Sequence, residues 1–170
     1  LSKRKGTLAT NLATSRMIDD LAAAAGCQVV RTPTGEANVV EAIRRDGCIF
    51  GGEGGGGVID PRVVPVRNSL VGMAFLLQHM AETSRSVSDL VAEIPRYVML
   101  KTKMPCPEGA AEKIAAATRE AFDSQTGARF NDADGLRVDL PEAWVSVRAS
   151  NTEPILRIMA EAPQTDQAEE

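Results

Sequence analysis

The chain has 170 residues, 44% of them apolar and 25% charged, with 19 Lys and Arg against 23 Asp and Glu for a formal net charge of −4. An acidic chain with 4% aromatic residues lacks the clustered Lys/Arg of a nucleic-acid reader. No apolar run approaches the roughly 18 residues that a membrane span needs, and the length suffices to bury a core without disulfide or metal staples. The opening Leu1-Ser2-Lys3-Arg4-Lys5-Gly6 carries charge but no apolar stretch of signal-peptide type. Cys27, Cys48 and Cys106 are odd in number and widely spaced, as in a reducing compartment. A cytoplasmic protein with neither nucleic acid nor membrane as partner is the expectation.

The first half alternates strand and helix. Residues 6–14 are β-rich, and Ser15 is the expected cap of a helix over 16–25 that Gly26 ends. A second strand is expected over 27–32, a turn at Pro33-Thr34-Gly35, and an amphipathic helix over 36–46 closed by Gly47. Cys48-Ile49-Phe50 reads as a short third strand running into glycines. This order predicts an α/β domain with a largely parallel mixed sheet. Asn68 caps a long helix, 69–82, apolar on most of its circumference and so expected to be buried on more than one side. A short helix over 88–94 stops at Pro95.

Beyond Pro95-Arg96 the order changes, to a strand (97–104), a helix (108–122) and strands near 129–130, 136–140, 143–149 and 155–160. That pattern predicts a small α+β domain with an antiparallel sheet, and Asp134-Gly135 supplies a hairpin turn. The expected division is therefore 1–95 and 96–170. The abrupt opening strand, and a closing helix start without an apolar face, are expected of a piece of a longer protein.

Two segments stand out chemically. Gly51-Gly52-Glu53-Gly54-Gly55-Gly56-Gly57 follows a strand, and residues 52–57 match G-x-G-x-x-G. A dinucleotide site requires a helix to open on those glycines, which Pro61 and Pro65 forbid; a P-loop would need a following Lys-Ser/Thr. The segment is then either a flexible connection or a ligand loop. In the second case Glu53, at the carboxyl end of a strand, suits bidentate acceptance from vicinal sugar hydroxyls. The other segment is Arg148-Ala-Ser150-Asn151-Thr152-Glu153-Pro154-Ile-Leu-Arg157. It is either an ordinary turn with a surface arginine or a fork of donors, hydroxyls and backbone N–H groups for a dianionic phosphate.

Other residues read as structural. His79 falls near the end of the long helix as a surface residue, and Cys27 and Cys48 begin apolar strands as core positions. Cys106 sits inert near prolines. The Asn131-Asp132-Ala-Asp134-Gly135 run lacks the closing Glu of a calcium loop. Trp144 shares a strand face with Ser146 and Arg148, placing it as packing under the turn.

Taken together, Gly-Gly-Glu53-Gly-x-Gly-Gly-Val-Ile and Arg148-x-Ser-Asn-Thr-Glu-Pro-x-x-Arg157 resemble the α-D-phosphohexomutase superfamily, which includes phosphoglucosamine mutase and phosphomannomutase/phosphoglucomutase. Thr14-Ser15-Arg16, Thr34-Gly35-Glu36-Ala-Asn-Val-Val40 and Arg67-Asn-Ser-Leu-Val-Gly72 extend the likeness over essentially the whole chain. Such enzymes have four domains, and this chain resembles the third and fourth. The resemblance implies that Arg148, Ser150, Asn151 and Thr152 grip the non-transferring phosphate, with Arg157 supporting, and that Glu53 holds ring hydroxyls. Gly35 and Glu36 fall where relatives make further sugar contacts. Many relatives carry Ser or Asn in place of Gly55 and His in place of Gly57, so their specificity logic does not transfer.

The superfamily's phosphoserine loop (Ser-His-Asn-Pro type) and aspartate-rich metal loop do not occur in this sequence. The resemblance therefore implies a parent enzyme that uses Mg2+ and a hexose 1,6-bisphosphate activator, neither bound by residues of this chain. Its implied partners are a phosphorylated hexose or hexosamine and the N-terminal domains of the same chain. Phosphoglucosamine mutase is the favoured activity; the alternative is a non-catalytic sugar-phosphate-binding module.

Overall fold

The computed structural model describes residues 4–107, 109–150 and 152–169, which fall into two compact units dividing between Pro95 and Arg96.

The first unit is built on a four-stranded sheet of order β2-β1-β3-β4: β1 (Thr7–Asn11), β2 (Gln28–Thr32), β3 (Phe50–Gly52) and β4 (Val58–Ile59). β1 pairs in parallel with β2 and β3, and β4 closes the sheet antiparallel to β3. Alternation along β1 separates two cores, because successive side chains point to opposite faces. Ala9 packs with Val39, Ala42, Ile43, Cys48 and Ile59, the face covered by helix α2 (Glu36–Asp46). Leu8 packs with Ala22 and Cys27, the face covered by helix α1 (Met17–Ala24). In α2 the buried residues are Val39, Ala42 and Ile43, one face at i, i+3 and i+4; full burial of the Val or the Ile stabilises by about 1.5–3 kcal/mol each.

The glycines that end these helices do so in the left-handed region, Gly26 at φ 66° and Gly47 at φ 63°, where a Cβ is penalised. Gly51 is required for a different reason. A Cβ there would lie 2.7 Å from Ile43 Cδ1 and 3.0 Å from the Ala9 carbonyl oxygen, so α2 packs directly on the β3 backbone.

Three local expectations change. Ser15 is not the N-cap of α1: Arg16 holds that position, while the Ser15 hydroxyl accepts from the Met17 N–H at 3.1 Å. The third strand lies at 50–52 instead of 48–50, with Cys48 buried in the turn before it. The two-residue β4, too short to show a period, was not foreseen.

Helices α3 (Ser69–Thr83) and α4 (Val87–Ala92) complete this unit. The Asn68 carboxamide oxygen accepts from the Leu70 and Val71 N–H groups, and Ser86 with Asp89 forms a capping box on α4. The expectation that α3 is buried on more than one side is not met: no residue of α3 is buried, and Leu70 is 72% exposed. Its packed flank rests on Val58 beside Gly72 and on Phe50, whose ring centroid lies 5.8 Å from that of Phe75. One flank against a hairpin is too little surface to cover a helix that is apolar nearly all round.

The second unit is a five-stranded antiparallel sheet of order β5-β9-β8-β7-β6: β5 (Val98–Pro105), β6 (Arg129–Asn131), β7 (Leu136–Asp139), β8 (Trp144–Ala149) and β9 (Ile155–Ala162). Helix α5 (Ala110–Asp123) packs on β7 and β8, and α6 (Thr165–Glu169) on β5 and β9. The closing helix does present an apolar contact, since Ala168 is buried. The fold is thus an α/β unit with a mostly parallel mixed sheet followed by an α+β unit with an antiparallel sheet.

Candidate functional site

Parallel pairing sets Asn11 beside Thr32 and Ala9 beside Gly51, so the loops after β1, β2 and β3 leave the sheet at one edge. Ligands of open α/β sheets bind at this carboxyl edge. The glycine run is the hairpin loop between β3 and β4, with Gly52 opposite Val58. A strand, not a helix, follows the glycines, which removes the dinucleotide geometry. A Cβ at Gly55 or Gly56 would meet nothing within 4 Å; the tip of the loop stands in open space.

Glu53 opens that loop, and its side chain is only 11% exposed. Its Oε1 accepts from the Asn11 carboxamide at 2.6 Å and from the Gly35 N–H at 2.9 Å. Gly35 is the N-cap of α2, so the carboxylate also sits at the positive end of that helix. Oε2 lies 4.0 Å from Arg67 Nη1. Asn11 in turn accepts, at Oδ1, from the Ala13 N–H (2.9 Å) and the Thr14 hydroxyl (2.8 Å), and the Thr14 hydroxyl oxygen accepts from the Gly54 N–H at 2.9 Å. Arg31 ties the same loop down, donating to the carbonyls of Asn11, Thr14 and Ser15 and to Asp19. Glu53 is therefore preorganised by three loops.

Glu36, the first residue of α2, pairs with Arg67. The Arg67 N–H donates to Oε1 at 3.0 Å and its Nε to Oε2 at 2.6 Å. Those two bonds, the backbone one foremost, hold the Glu36 carboxyl below its ordinary pKa of 4.5. The sequence-predicted Glu53, Gly35 and Glu36 are thus brought together. Asn11 and Arg31, which position them, were missed, and Thr14 and Arg67 had entered only as parts of resembling segments, without a role. Strand-end polar residues carry no local signal; only the sheet register reveals their convergence.

In the second unit β8 delivers Arg148 and then the turn. Arg148 pairs with Arg157 across β8 and β9, and its side chain is 16% exposed, with Nε 3.4 Å from Asp134 Oδ1 as an ion pair. Asp134-Gly135 is the seat of this arginine as well as a hairpin turn. Gly135 has φ 76°, and a Cβ there would lie 2.4 Å from the Val147 carbonyl oxygen and 2.8 Å from Arg148 Cβ. The turn is fastened at its base by Ser150 N–H to the Ile155 carbonyl (2.8 Å) and by Cys106 N–H to the Pro154 carbonyl (2.9 Å). The Ser150 and Thr152 hydroxyls are 3.5 Å apart and exposed. Asn151 lies outside the described residues. Glu153 is drawn to Arg157 at 3.1 Å, which leaves Arg157 in a supporting position.

Trp144 is a packing residue, as expected, and its partners are Arg137 and Glu161. Its ring, 1% exposed, lies 4.0 Å from the guanidinium of Arg137, and its Nε1–H donates to Glu161 Oε2 at 2.5 Å. Arg137 also reaches Asp139 at 2.6 Å, so the core arginine of this unit is Arg137. His79 is exposed, and Cys27 and Cys48 are buried, with burial raising the Cys48 thiol above its ordinary pKa. Among the described residues no three His, Cys, Asp or Glu converge as metal ligands. No helix of the described residues is long and apolar enough to cross a membrane.

A family described as phosphoglucomutase/phosphomannomutase, alpha/beta/alpha domain III, matches residues 1–97, and the C-terminal domain of the same family matches 101–170. A protein of Methanopyrus kandleri named "Probable phosphoglucosamine mutase" is 36% identical over 99% of this chain, which spans 37% of that relative's length. Solved structures share the fold, and two serve as examples. A phosphoglucomutase/phosphomannomutase family protein of Burkholderia thailandensis has a TM-score of 0.79 at 22% identity, over 98% of this chain and 35% of its own. The Aspergillus fumigatus N-acetylphosphoglucosamine mutase, in complex with GlcNAc-6P and magnesium, has a TM-score of 0.65 at 14% identity, over 98% and 37% respectively. The chain belongs to the phosphoglucomutase/phosphomannomutase family.

Proposed function

We propose that this chain is the substrate-binding C-terminal half of a phosphohexomutase that interconverts the 1-phosphate and 6-phosphate of a hexose or hexosamine, with phosphoglucosamine the favoured substrate. Residues 1–95 serve as its third, sugar-binding domain and 96–170 as its fourth, phosphate-binding lid. The observation that carries the reading is the pairing, in one chain, of a buttressed carboxylate at a sheet edge with an arginine-and-hydroxyl turn. Glu53 holds ring hydroxyls through Oε2 while Asn11 and Gly35 fix Oε1, and Gly35 and Glu36 line the same edge. Arg148, Ser150, Asn151 and Thr152 grip the phosphate that does not react, and its remote binding energy orients the sugar.

Magnesium would neutralise charge on the transferring phosphoryl group of the parent enzyme. The described residues do not fit a metal cage; the reading assigns the cation, the phosphoserine and the activating hexose 1,6-bisphosphate to residues outside this chain. The chain alone binds a phosphosugar and turns nothing over. The name of the M. kandleri relative and the ligand of the A. fumigatus structure support a phosphorylated hexosamine.

The test is a titration of the chain with glucosamine 6-phosphate, glucose 6-phosphate and inorganic phosphate. The reading expects both sugar phosphates to bind more tightly than inorganic phosphate, with Glu53→Ala abolishing that advantage. Equal affinity for all three in the unaltered chain would overturn it.

A further inference from the structure

The glycine at position 57 and the arginine at position 67 share one space. Gly57 has φ 79°, and a Cβ there would lie 3.2 Å from Arg67 Cβ and 3.3 Å from its Cδ. The stem of Arg67 thus fills the volume that a side chain on the glycine loop would otherwise take. Its head is anchored rather than loose, because Glu36 accepts from both its backbone N–H and its Nε. Nη1 points to the Glu53 carboxylate at 4.0 Å. Neither Nη1 nor Nη2 makes a hydrogen bond to the described residues, and the side chain is 43% exposed. Two carboxylates and one guanidinium therefore meet at the sheet edge, with the outer N–H groups of the guanidinium turned to whatever Glu53 holds.

We propose that Arg67 is a specificity-determining substrate contact that sets the balance between neutral and ammonium-bearing sugar phosphates. The inference rests on the reading that the glycine loop holds the sugar ring. A guanidinium only donates, whereas a hydroxyl can accept from Arg67 while donating to Glu53; an ammonium can accept nothing. The Arg67 charge also offsets Glu36 and Glu53, and removing it leaves two carboxylates whose field draws a cation. Arg67 thus restrains a preference for amino sugars that the carboxylates alone would impose. Anchoring by Glu36 means that little side-chain freedom is lost when the ligand arrives.

The experiment compares the affinities of glucosamine 6-phosphate and glucose 6-phosphate for the unaltered chain, Arg67→Ala, Arg67→Gln and Arg67→Lys. It is run at mildly acid pH, where the amino group is protonated, and melting temperature is followed in parallel. The ratio of glucosamine 6-phosphate to glucose 6-phosphate affinity is expected to rise by about fivefold or more in Arg67→Ala. Arg67→Gln should show the same rise, which covers an alanine variant that fails to fold, while Arg67→Lys stays near the unaltered ratio. A ratio unchanged in the neutral variants, or both affinities falling in step with melting temperature, overturns the inference and leaves the functional reading standing. If the unaltered chain binds neither sugar phosphate, the functional reading falls and the inference falls with it.

Discussion

The carboxylate cluster of the first unit and the turn of the second hold their polar groups in opposite ways. Around Glu53 the side chains are satisfied by one another: Asn11, Gly35 and Thr14 form a hydrogen-bonded chain of bonds between 2.6 and 2.9 Å, and Arg31 staples the loop from behind. At the turn the Ser150 and Thr152 hydroxyls are 3.5 Å from each other, and Arg148 rests on a 3.4 Å ion pair. A satisfied network adds stability and fixes a geometry in advance, because an unpaired polar group in a buried site costs more than a formed bond gains. The turn contributes less to folding and keeps its hydroxyls for an anion. The two sites therefore separate on stability: breaking the first should weaken the fold, and breaking the second should weaken binding.

The largest expected effect is at Asn11, which is 4% exposed and accepts two bonds while donating a third. Asn11→Ala should cost about 2–3 kcal/mol in urea unfolding followed by circular dichroism. Fluorescence of Trp144, the single tryptophan and a resident of the second unit, should report an unchanged transition there. Next comes Gly135→Ala, which forces a Cβ against the Val147 carbonyl and Arg148 at a left-handed φ. It should cost about 1–3 kcal/mol and show in Trp144 fluorescence, with phosphate affinity falling because Arg148 is displaced. A variant that unfolds with unchanged Trp144 fluorescence would break the assignment of Gly135 as the seat of Arg148.

Acid should weaken the first unit with a smaller effect. Arg67 lowers the Glu36 pKa, chiefly through its backbone bond, and the side-chain bonds of Arg62 lower that of Asp60. Side-chain bonds lower Asp46 through Arg45, Asp89 through Ser86 and Glu93 through Arg85. All five lie in the first unit. A carboxyl whose folded pKa is depressed contributes stability that is complete above its unfolded value and is lost as pH falls through the folded one. The ordinary values are 4.5 for Glu and 3.8 for Asp, so stability of the first unit should begin to fall below about pH 4.5. Helical ellipticity should then begin to fall as pH drops below about 4.5; ellipticity that holds unchanged down to about pH 3 would contradict the expectation.

Much of the architecture was legible because local chemistry and fold agree. The second helix was placed at 36–46 as found, since apolar period and a closing glycine coincide there. Asn68 was legible as a cap because its carboxamide acts within three residues. What failed was whatever depends on partners far along the chain. The burial of α3 was inferred from its apolar circumference, but burial needs a covering surface, and composition does not say where that surface is. Strand alternation placed Trp144 as a packing residue, but its cross-strand partner Arg137 from β7 was not legible, because cross-strand neighbours depend on register. At the site, Glu53 and Arg148 were legible from motif and resemblance. Asn11, the role of Arg67 and the second duty of Gly135 emerge only once the chain's distant segments are brought together.

The most direct measurement is phosphate affinity and melting temperature on one variant, Arg148→Ala. The account predicts that this variant loses measurable binding of inorganic phosphate and glucosamine 6-phosphate while its melting temperature falls by less than that of Asn11→Ala. Arg148 then belongs to the ligand and Arg137 to the core. Unchanged affinity with a lowered melting temperature would contradict the account and return Arg148 to the role of a structural arginine.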